Sequence, residues 1–434
     1  MVPYDLAGIG IGPFNLSLAA LAAPLSRLRA LFLERRAGFA WHPDQLLPGA
    51  RLQTSFLKDL VTPVDPTSPY SFLNYVRAKR RFYEFLNADQ PAILRAEFAD
   101  YLAWVAARLP SLRFSAPIET VRLDGRRLRL EGPAGRIETS ALVVGTGKQP
   151  FLPRWARAAP PERCLHSSAT LSAMPDLAGR RVAIVGGGQS GAELFLAIAQ
   201  GRFGAAAELA WISRRTTFAA LDETHFVNEW FTPGFVERFH GLGLPQRQAL
   251  APQTKLAGDG ISVDTLRAIY GHLYERRHVV GDGHRLLLLP GREVTDLHRD
   301  GPELLLEMTG RLDGARERLA ADLVVLATGF DWRLPDCLAE LGPRLERDPL
   351  GRPVMDLSYR LRWDGPPEAR LYLQNGAEHS HGIADPQLSL MAWRAATIVN
   401  DVLGEEAYDL AEQEPIVRWQ PLPEPAAPRL RRLA

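Results

Sequence analysis

The chain has 434 residues, of which 46% are hydrophobic and 23% charged, and its formal net charge is +1. This length predicts two or three domains with ample apolar material for their cores, and the near-neutral charge argues against binding to nucleic acid or an anionic membrane. The two cysteines, Cys164 and Cys337, form no closely spaced pair, which argues against a disulfide framework or metal site and indicates a reducing, cytoplasmic location. The sequence contains no signal-peptide pattern and no apolar stretch of about 18 residues, the length that a membrane-spanning helix needs.

The first part of the chain predicts a strand that ends in glycines over residues 4–12, a helix over 14–22 and a strand over 30–34. Alternating apolar and polar residues over 120–132 predict a hairpin, and the apolar run 140–148 predicts a closing strand. A βαβ unit followed by a meander and a strand is the order of a Rossmann-like dinucleotide-binding domain.

The same order recurs in the second part of the chain. A strand and glycine turn are predicted over residues 181–191, a helix over 192–199 and a strand over 209–213. Alternation over 303–308 indicates another meander, and 321–330 predicts another closing strand. The repeat predicts an α/β protein with two Rossmann-like dinucleotide-binding domains.

A helical segment interrupts the second repeat. Helices are predicted over residues 232–239 and 262–277, the latter with Leu266, Ile269, Tyr270 and Leu273 at helical spacing. Near the end of the chain we expect a strand from residue 371, a histidine-containing loop, a helix over 387–403 and a proline-rich arm over 421–428. We therefore predict an FAD-binding domain over residues 1–155 and 328–434 and an NADPH-binding domain over residues 156–220 and 285–327. A small, mainly helical substrate-binding insertion covers residues 221–284.

The first glycine turn has the features of an FAD site. Gly8, Gly10 and Gly12 stand where a strand becomes a helix, so the backbone can approach a pyrophosphate at the helix N-terminus. Pro13 replaces the third glycine of the usual GxGxxG motif, and proline suits the first turn of a helix. Glu34 ends the next strand and is placed to bind an adenosine ribose; the alternative is an ordinary turn with a surface acid.

The second glycine turn predicts a nicotinamide cofactor. Gly186, Gly188 and Gly191 form an unbroken GxGxxG motif. The next strand ends without an acid, in Ser213-Arg214-Arg215, and hydroxyl and guanidinium groups there favour the 2′-phosphate of NADPH unless the arginines are simply solvated. Thr328-Gly329, like the corresponding turn of the first half, closes a strand with small residues that let it pack against a dinucleotide.

A dense polar stretch, WHPDQLLPGARLQTSFLKD, follows the first βαβ unit over residues 41–59. A flavin needs hydrogen-bond donors near its ring, and Gln53 is a candidate. Lys58, considered alone, is interpreted as a solvated surface residue.

Together these blocks resemble the flavin-dependent N-hydroxylating monooxygenases of siderophore biosynthesis, in the lysine and diamine branch. The resemblance covers nearly the whole chain. It depends on GIGIGPFNLSLAAL, on residues 41–75 (the polar stretch and its continuation LVTPVDPTSPYSFLNY), and on GTGKQPFLP, GGGQSGAE, THFVNEWFTP, ATGF and HSHGIADPQLSLMAWR. It implies oxidation of a terminal primary amine by dioxygen, through a flavin hydroperoxide, with FAD and NADPH as cofactors. It also implies a homo-oligomer, either a dimer or a tetramer, and no catalytic side chain is assigned.

The resemblance assigns further roles by residue. It implies that Lys58 and Asn228 hold the far end of the amine, and that Ser389 lies near the flavin and the reacting nitrogen. It places Gln53 beside the flavin, and Gln189 and Ser190 against the nicotinamide cofactor. The remaining cofactor-binding candidates lie in the matched blocks and are Phe14, Trp41 and His42.

The identity of the amine depends on two residues. Ornithine enzymes of this family carry an asparagine where Gly260 stands here, which argues against ornithine. Lys58 favours a substrate carboxylate unless Asp59, Asp222 or Glu223 neutralises it. With such neutralisation we expect a diamine (putrescine or cadaverine) first, L-lysine second and ornithine third.

Three other classes compete with this interpretation. A disulfide reductase shares the two-domain plan but needs a redox-active cysteine pair. A Baeyer–Villiger or sulfur-oxidising flavin monooxygenase would carry a motif of which only His166 is present. A nucleotide-sensing module without catalysis would not need the residue 41–59 block.

Overall fold

The computed structural model of the protein describes residues 3–281, 285–301, 303–411 and 415–421. The strands are β1 Tyr4–Ile9, β2 Ala30–Leu33, β3 Leu112–Arg113, β4 Thr120–Asp124, β5 Arg127–Gly132, β6 Gly135–Val144, β7 Gln149–Pro150, β8 Cys164–His166, β9 Arg181–Val185, β10 Glu208–Ser213, β11 Arg285–Pro290, β12 Arg292–Asp300, β13 Glu303–Gly310, β14 Arg316–Ala321, β15 Leu323–Leu326, β16 Phe330–Asp331 and β17 Arg370–Leu373. The α-helices are α1 Pro13–Ala22, α2 Phe72–Ala78, α3 Phe82–Ala88, α4 Arg95–Ala106, α5 Thr170–Ala173, α6 Gln189–Ala199, α7 Pro233–His240, α8 Leu244–Thr254, α9 Leu256–Asp259, α10 Val263–Glu275, α11 Glu378–His381 and α12 Met391–Leu403.

The first sheet has β1 in its middle, between β2 and β6, with β3 beyond β2, and these strands run parallel. The first half of β6 continues the sheet antiparallel through β5 and β4, as the predicted hairpin requires. Its second half pairs parallel with β17, which comes from the far end of the chain. The carboxyl ends of β1, β6 and β17 therefore meet at one edge, where ligands bind in sheets of this kind.

Helix α1 leaves that edge and runs through the core. Pro13 stands in its first turn, and all of its residues are buried because the helix is apolar on every side. It packs against α12 and α4. The helices α2, α3 and α4, over residues 72–106, were not among the predicted elements.

The second sheet contains β11, β10, β9, β15 and β8 in that order, and all its strands run parallel. An antiparallel meander of β12, β13 and β14 lies against it. The predicted α/β class with two Rossmann-like units is thereby confirmed. The short strands β7 and β16 pair with each other where the chain passes from the first unit to the second and back.

The described residues of the helical segment after β10 form no separate core. Phe235, Val236 and Phe239 of α7 are buried in the core of the first unit, whereas Ile261 and Ile269 are buried in the core of the second. The segment therefore fastens the two units together. Its helical character is confirmed, but Tyr270 is 76% exposed and is not part of the buried face of α10, because that face is centred on Ile269.

The C-terminal helix differs from the prediction at its start. Residues Leu388–Leu390 form a 3-10 turn, and the α-helix begins at Met391. The proline-rich arm predicted over 421–428 falls outside the described residues from 422 onward. Within the part of the chain that the structure describes, no helix is long and apolar enough to cross a membrane.

Candidate functional site

A large open cavity of about 3100 Å³ lies between the two sheets and the helical segment. Its lining includes both glycine turns, much of the residue 41–59 block and residues from the C-terminal loop. Pockets for one small ligand are typically about 300–1,000 Å³, so this cavity has room for more than one large ligand.

The first glycine turn is closed on the protein side and open on the cavity side. A Cβ on Gly8 would overlap the Phe32 ring, and Gly10, at φ +84°, lies so close to the Gly145 carbonyl that a Cβ would approach its oxygen to 2.7 Å. A Cβ on Gly12, the residue that precedes α1, would meet no atom within 4 Å. The first two glycines are required by the fold, and the third exposes backbone at the helix N-terminus where a pyrophosphate can bind.

The second glycine turn repeats this arrangement. Gly186 has φ +136°, and a Cβ there would overlap the Ala327 carbonyl, just as one on Gly191 would overlap the Gly186 carbonyl. At Gly188, which precedes α6, the nearest atom is the Asp259 carbonyl oxygen at 3.7 Å. Each turn thus offers one open glycine at the start of a helix, which fits two separate dinucleotides.

The strand ends next to the two turns differ in charge, as the sequence indicated. Glu34 is buried, and its carboxylate accepts hydrogen bonds from the backbone N–H groups of Ile11 at 2.9 Å and Arg36 at 3.0 Å. Burial raises the pKa of Glu34, but the hydrogen bonds from Arg36 and Ile11 outweigh it and hold that pKa below its usual value. The ionised carboxylate fits the hydroxyl groups of a ribose.

The corresponding cluster after β10 is basic, but its two arginines are not equivalent. Arg215 donates to the carbonyl oxygens of Gly187 at 3.3 Å and Asp259 at 3.0 Å, and its backbone N–H donates to the Ser213 hydroxyl. Arg214 is exposed, and no hydrogen bond or ion pair engages it in the described ranges. Arg214 is therefore the guanidinium available to a phosphate, while Arg215 holds the glycine turn in place.

Other predicted cofactor residues also line the cavity. The Phe14 ring lies 4.5 Å below the guanidinium of the buried Arg394. Trp41 and His42 form an edge-on ring pair at 5.4 Å, and His42 adopts a left-handed conformation. The Thr328 hydroxyl is already used, because it donates to the Phe151 carbonyl at 2.6 Å, and the adjacent Gly329 carbonyl meets the ring of His166 at 3.0 Å.

Three residues expected to contact the amine line the same cavity. Lys58 is half-buried with its Nζ 6.0 Å from the centre of the Phe231 ring, and burial lowers its pKa. Asn228 donates from Nδ2 to the Glu223 carbonyl at 3.1 Å, and its Oδ1 is left to accept a hydrogen bond from another partner. Ser389 is buried in the 3-10 turn before α12.

The acids that were expected to neutralise Lys58 are occupied elsewhere or do not reach it. The Asp59 carboxylate is buried and accepts hydrogen bonds from the backbone N–H groups of Val61, Thr62 and Phe72 at 2.6–2.9 Å. The Asp222 carboxylate accepts from Thr224. No acid of the described residues forms an ion pair with Lys58, so its ammonium has no counter-ion in the part of the chain that the structure describes.

Gly260 does not support the argument against ornithine. A Cβ at this position would overlap the backbone of Leu221, because Ile261 and Ala220 are paired as a β-bridge directly beside it. With this backbone, no side chain at position 260 could reach a substrate. The glycine is explained by close packing of two chain segments, so it does not by itself show that a substrate contact has been lost.

The comparisons with known proteins agree with this geometry. The family model for L-lysine 6-monooxygenase/L-ornithine 5-monooxygenase matches residues 2–332. The chain is 41% identical over 418 residues to the L-lysine N6-monooxygenase of Escherichia coli, covering 96% of this chain and 98% of the relative. The chain belongs to this N-monooxygenase family.

Solved structures extend the likeness. The FAD-bound cadaverine monooxygenase of the desferrioxamine pathway from Erwinia amylovora superposes with a TM-score of 0.91 at 30% identity, over 98% of this chain and 100% of that one. The ornithine N-hydroxylase of Kutzneria sp. 744, solved with reduced FAD, NADP+ and L-ornithine, gives a TM-score of 0.85 at 29% identity, over 93% and 99%. This N-monooxygenase is an FAD- and NADPH-dependent flavoprotein, as predicted.

Membership of the family removes the competing classes. In particular, the two cysteines of this N-monooxygenase are separate free thiols, and burial raises the pKa of Cys164 to about 11. A redox-active pair needs a reactive thiolate, which burial opposes.

Sequence reasoning missed the polar contacts that hold the strand ends under the first turn. Asn15 donates from Nδ2 to the Gly10 carbonyl at 2.7 Å and accepts from the Gln374 side chain at 2.7 Å, and both residues are buried. These two amides join the ends of β1 and β17 beneath the open glycine. A polar residue in the otherwise apolar α1 and another at the end of β17 were the available signals.

Proposed function

We propose that this N-monooxygenase hydroxylates the terminal amine of L-lysine, for hydroxamate siderophore biosynthesis, with FAD at the first glycine turn and NADPH at the second. The overall reaction converts the amine, dioxygen, NADPH and a proton into the hydroxylamine, NADP+ and water. When bound, the FAD supplies the oxygen-activating chemistry, and NADPH supplies the electrons. The side chains of the protein bind, orient and shield the reactants.

The observation that carries the choice of substrate is the state of Lys58. A half-buried ammonium that has no counter-ion in the described structure carries an uncompensated desolvation free energy. Lys58 therefore favours a ligand that brings a carboxylate. Asn228 lies in the same cavity with an amide oxygen that can accept from an α-ammonium. L-lysine carries both groups at the end remote from its reacting nitrogen.

The reacting amine must be neutral, because an ammonium has no lone pair with which to attack. Ser389 is buried in the 3-10 turn before α12 and can exchange a hydrogen bond with a neutral amine. Leu388, next to Ser389 in the cavity lining, would disfavour the charged form of an amine bound there and help to shield the reacting centre from water.

A diamine is the second candidate, because one specific feature favours it. Glu223 is exposed, lines the cavity and directly precedes the segment that carries Asn228, so its carboxylate could receive a distal ammonium. The cadaverine monooxygenase noted above also shares this fold closely.

The deciding experiment measures hydroxylamine formation and NADPH consumption with L-lysine, cadaverine, putrescine and L-ornithine at matched concentrations. We expect the highest kcat/KM with L-lysine and a diamine second. A higher value for either diamine would show that Lys58 does not select a carboxylate, and a higher value for L-ornithine would refute L-lysine as the substrate.

We also predict that NADPH is preferred to NADH and that the two arginines affect this preference differently. A charge-assisted contact to phosphate contributes about 1.5–3 kcal/mol, so Arg214→Ala should lower kcat/KM for NADPH about tenfold to a hundredfold and leave NADH unaffected. Arg215→Ala should lower both values because Arg215 holds the Gly187 turn. Equal use of both cofactors by the unaltered enzyme would contradict the prediction.

Three further expectations from the sequence belong to this proposal. The division into residues 1–155 with 328–434, 156–220 with 285–327, and 221–284 is supported by the strands of the two sheets, although the insertion shares their cores. We retain a homo-oligomer, dimer or tetramer, and a cytoplasmic location. Analytical ultracentrifugation and cell fractionation test these two expectations.

A further inference from the structure

Gln189 was expected to contact the nicotinamide cofactor, but its side chain is fully engaged by the protein. Its Oε1 accepts from the backbone N–H of Ser262 at 2.8 Å and from the Gln53 side chain at 3.3 Å. Its Nε2 donates to Glu193 at 2.7 Å and to the Thr265 hydroxyl at 3.1 Å. A backbone donor on one side and a carboxylate on the other determine the orientation of the amide, and these four contacts use all of its hydrogen-bonding capacity.

The four partners come from different parts of the fold. Gln53 belongs to the block beside the first glycine turn, and Glu193 lies one turn along α6 from Gln189. Ser262 and Thr265 belong to the helical insertion, at the start of α10. Glu193 is also ion-paired with Arg95, the first residue of α4 in the FAD-binding unit, and both side chains are largely buried.

The segment Asp259 to Ser262, here called the junction, is held from every side. Arg215 of the second unit donates to the Asp259 carbonyl, Gln53 of the first unit donates to the Gly260 carbonyl at 3.4 Å, and Gln189 accepts from Ser262. The junction, which belongs to the insertion, therefore has one position in which its hydrogen bonds to the FAD unit and to the NADPH unit form together.

Backbone hydrogen bonds continue from the junction to the amine end of the cavity. Leu221 N–H donates to the Ile261 carbonyl at 2.7 Å, and Ile261 N–H donates to the Ala219 carbonyl at 3.0 Å. Leu221 begins the segment in which Glu223 holds Asn228. A contiguous path thus runs from the start of α6, through the junction, to a residue expected to bind the amine.

We infer that Gln189 is a positioning residue that couples the NADPH site to the amine site through the junction. With Gln189 in place, either ligand stabilises the position of the junction that the other requires, so each tightens binding of the other. The inference rests on the proposed function only in the identity of the ligands.

The test is a set of NADP+ dissociation constants, measured by calorimetry on oxidised, FAD-loaded enzyme with and without saturating amine. We expect the amine to tighten NADP+ binding about fivefold or more in the unaltered enzyme, within the usual range of such couplings, and less than about twofold in Gln189→Met. The amine is L-lysine, or whichever amine yields hydroxylamine, so that an error in the proposed substrate does not affect this test.

A charge exchange provides the matched rescue. Gln189→Glu alone places two carboxylates together and should remove the coupling. Adding Glu193→Gln restores a donor–acceptor pair with the roles reversed; the carboxylate that pairs with Arg95 is then at position 189 instead of 193, and the coupling should return to within about threefold of the unaltered enzyme. Gln253→Met, on the exposed part of α8, serves as a control and should behave like the unaltered enzyme.

Three outcomes would overturn the inference. They are an absence of coupling in the unaltered enzyme, full coupling in Gln189→Met, and an equal loss of NADP+ affinity with and without amine, which would make Gln189 a simple cofactor contact. If Gln189→Met does not fold, the failure of the exchanged pair to recover coupling relative to Gln189→Glu would overturn it.

Discussion

Gly188→Val is expected to weaken NADP+ binding severely while the protein remains folded and yellow with FAD. Gly188 has extended backbone angles, φ −106° and ψ −174°, which valine adopts readily, and its nearest neighbour to a Cβ is at 3.7 Å. The added Cβ would therefore meet the protein only at ordinary contact distance, and the side chain would occupy space needed by the bound dinucleotide. Overpacking of this kind costs about 1–3 kcal/mol or more, so the NADP+ Kd should rise on the order of a hundredfold.

The reciprocal variant sharpens this prediction. Gly12 is equally open and has φ −95° and ψ −177°, so Gly12→Val should give a folded, colourless protein that still binds NADP+. Flavin absorbance and calorimetry with NADP+ measure both sites. A colourless but folded Gly188→Val protein would show that the two dinucleotides are assigned to the wrong turns.

A steric control lies within each turn. Gly10→Val and Gly186→Val are expected to prevent folding, because both glycines have positive φ and a Cβ would press against the backbone of Gly145 or Ala327. Circular dichroism of these variants distinguishes loss of the fold from loss of a cofactor.

Lys58→Met is expected to remove the selection for a carboxylate-bearing amine. The loss of one charged hydrogen bond, about 1.5–3 kcal/mol, corresponds to a fall of about tenfold to a hundredfold in kcat/KM for L-lysine, most of it in KM. Cadaverine, which has no carboxylate, should be used as well as before or better. Steady-state kinetics with both amines test this, and an unchanged KM for L-lysine would contradict the role assigned to Lys58.

The pH dependence gives an independent measure of the same group. Burial lowers the pKa of Lys58, so its charge is lost at a lower pH than that of an exposed lysine, and the KM for L-lysine should rise as the pH rises through that value. This rise should be absent in Lys58→Met and with cadaverine. Lys79→Met provides a matched control, since Lys79 is paired with Asp100 and is not part of the cavity lining.

The sequence alone was sufficient for the two Rossmann-like units and for the cofactor chemistry, although it missed α2, α3 and α4. Apolar periodicity and glycine position are local properties, so neighbouring residues were enough to predict the repeated βαβ units and the open turns at Gly12 and Gly188. They were also enough to predict the difference in charge between the two strand ends, which carry an acid at Glu34 and arginines after β10. The resemblance added Lys58, Asn228 and Ser389, and the fold brings all three to one cavity.

Only the tertiary structure decided which polar groups are free. Asp59 follows Lys58 in sequence, yet its carboxylate is used by the backbone of Val61, Thr62 and Phe72, so the expected neutralisation does not occur. Gly260 looked like a missing substrate contact, but it lies against Leu221 and has no room for a side chain. The reason is physical: whether a group has a partner depends on residues distant in sequence that meet only after folding.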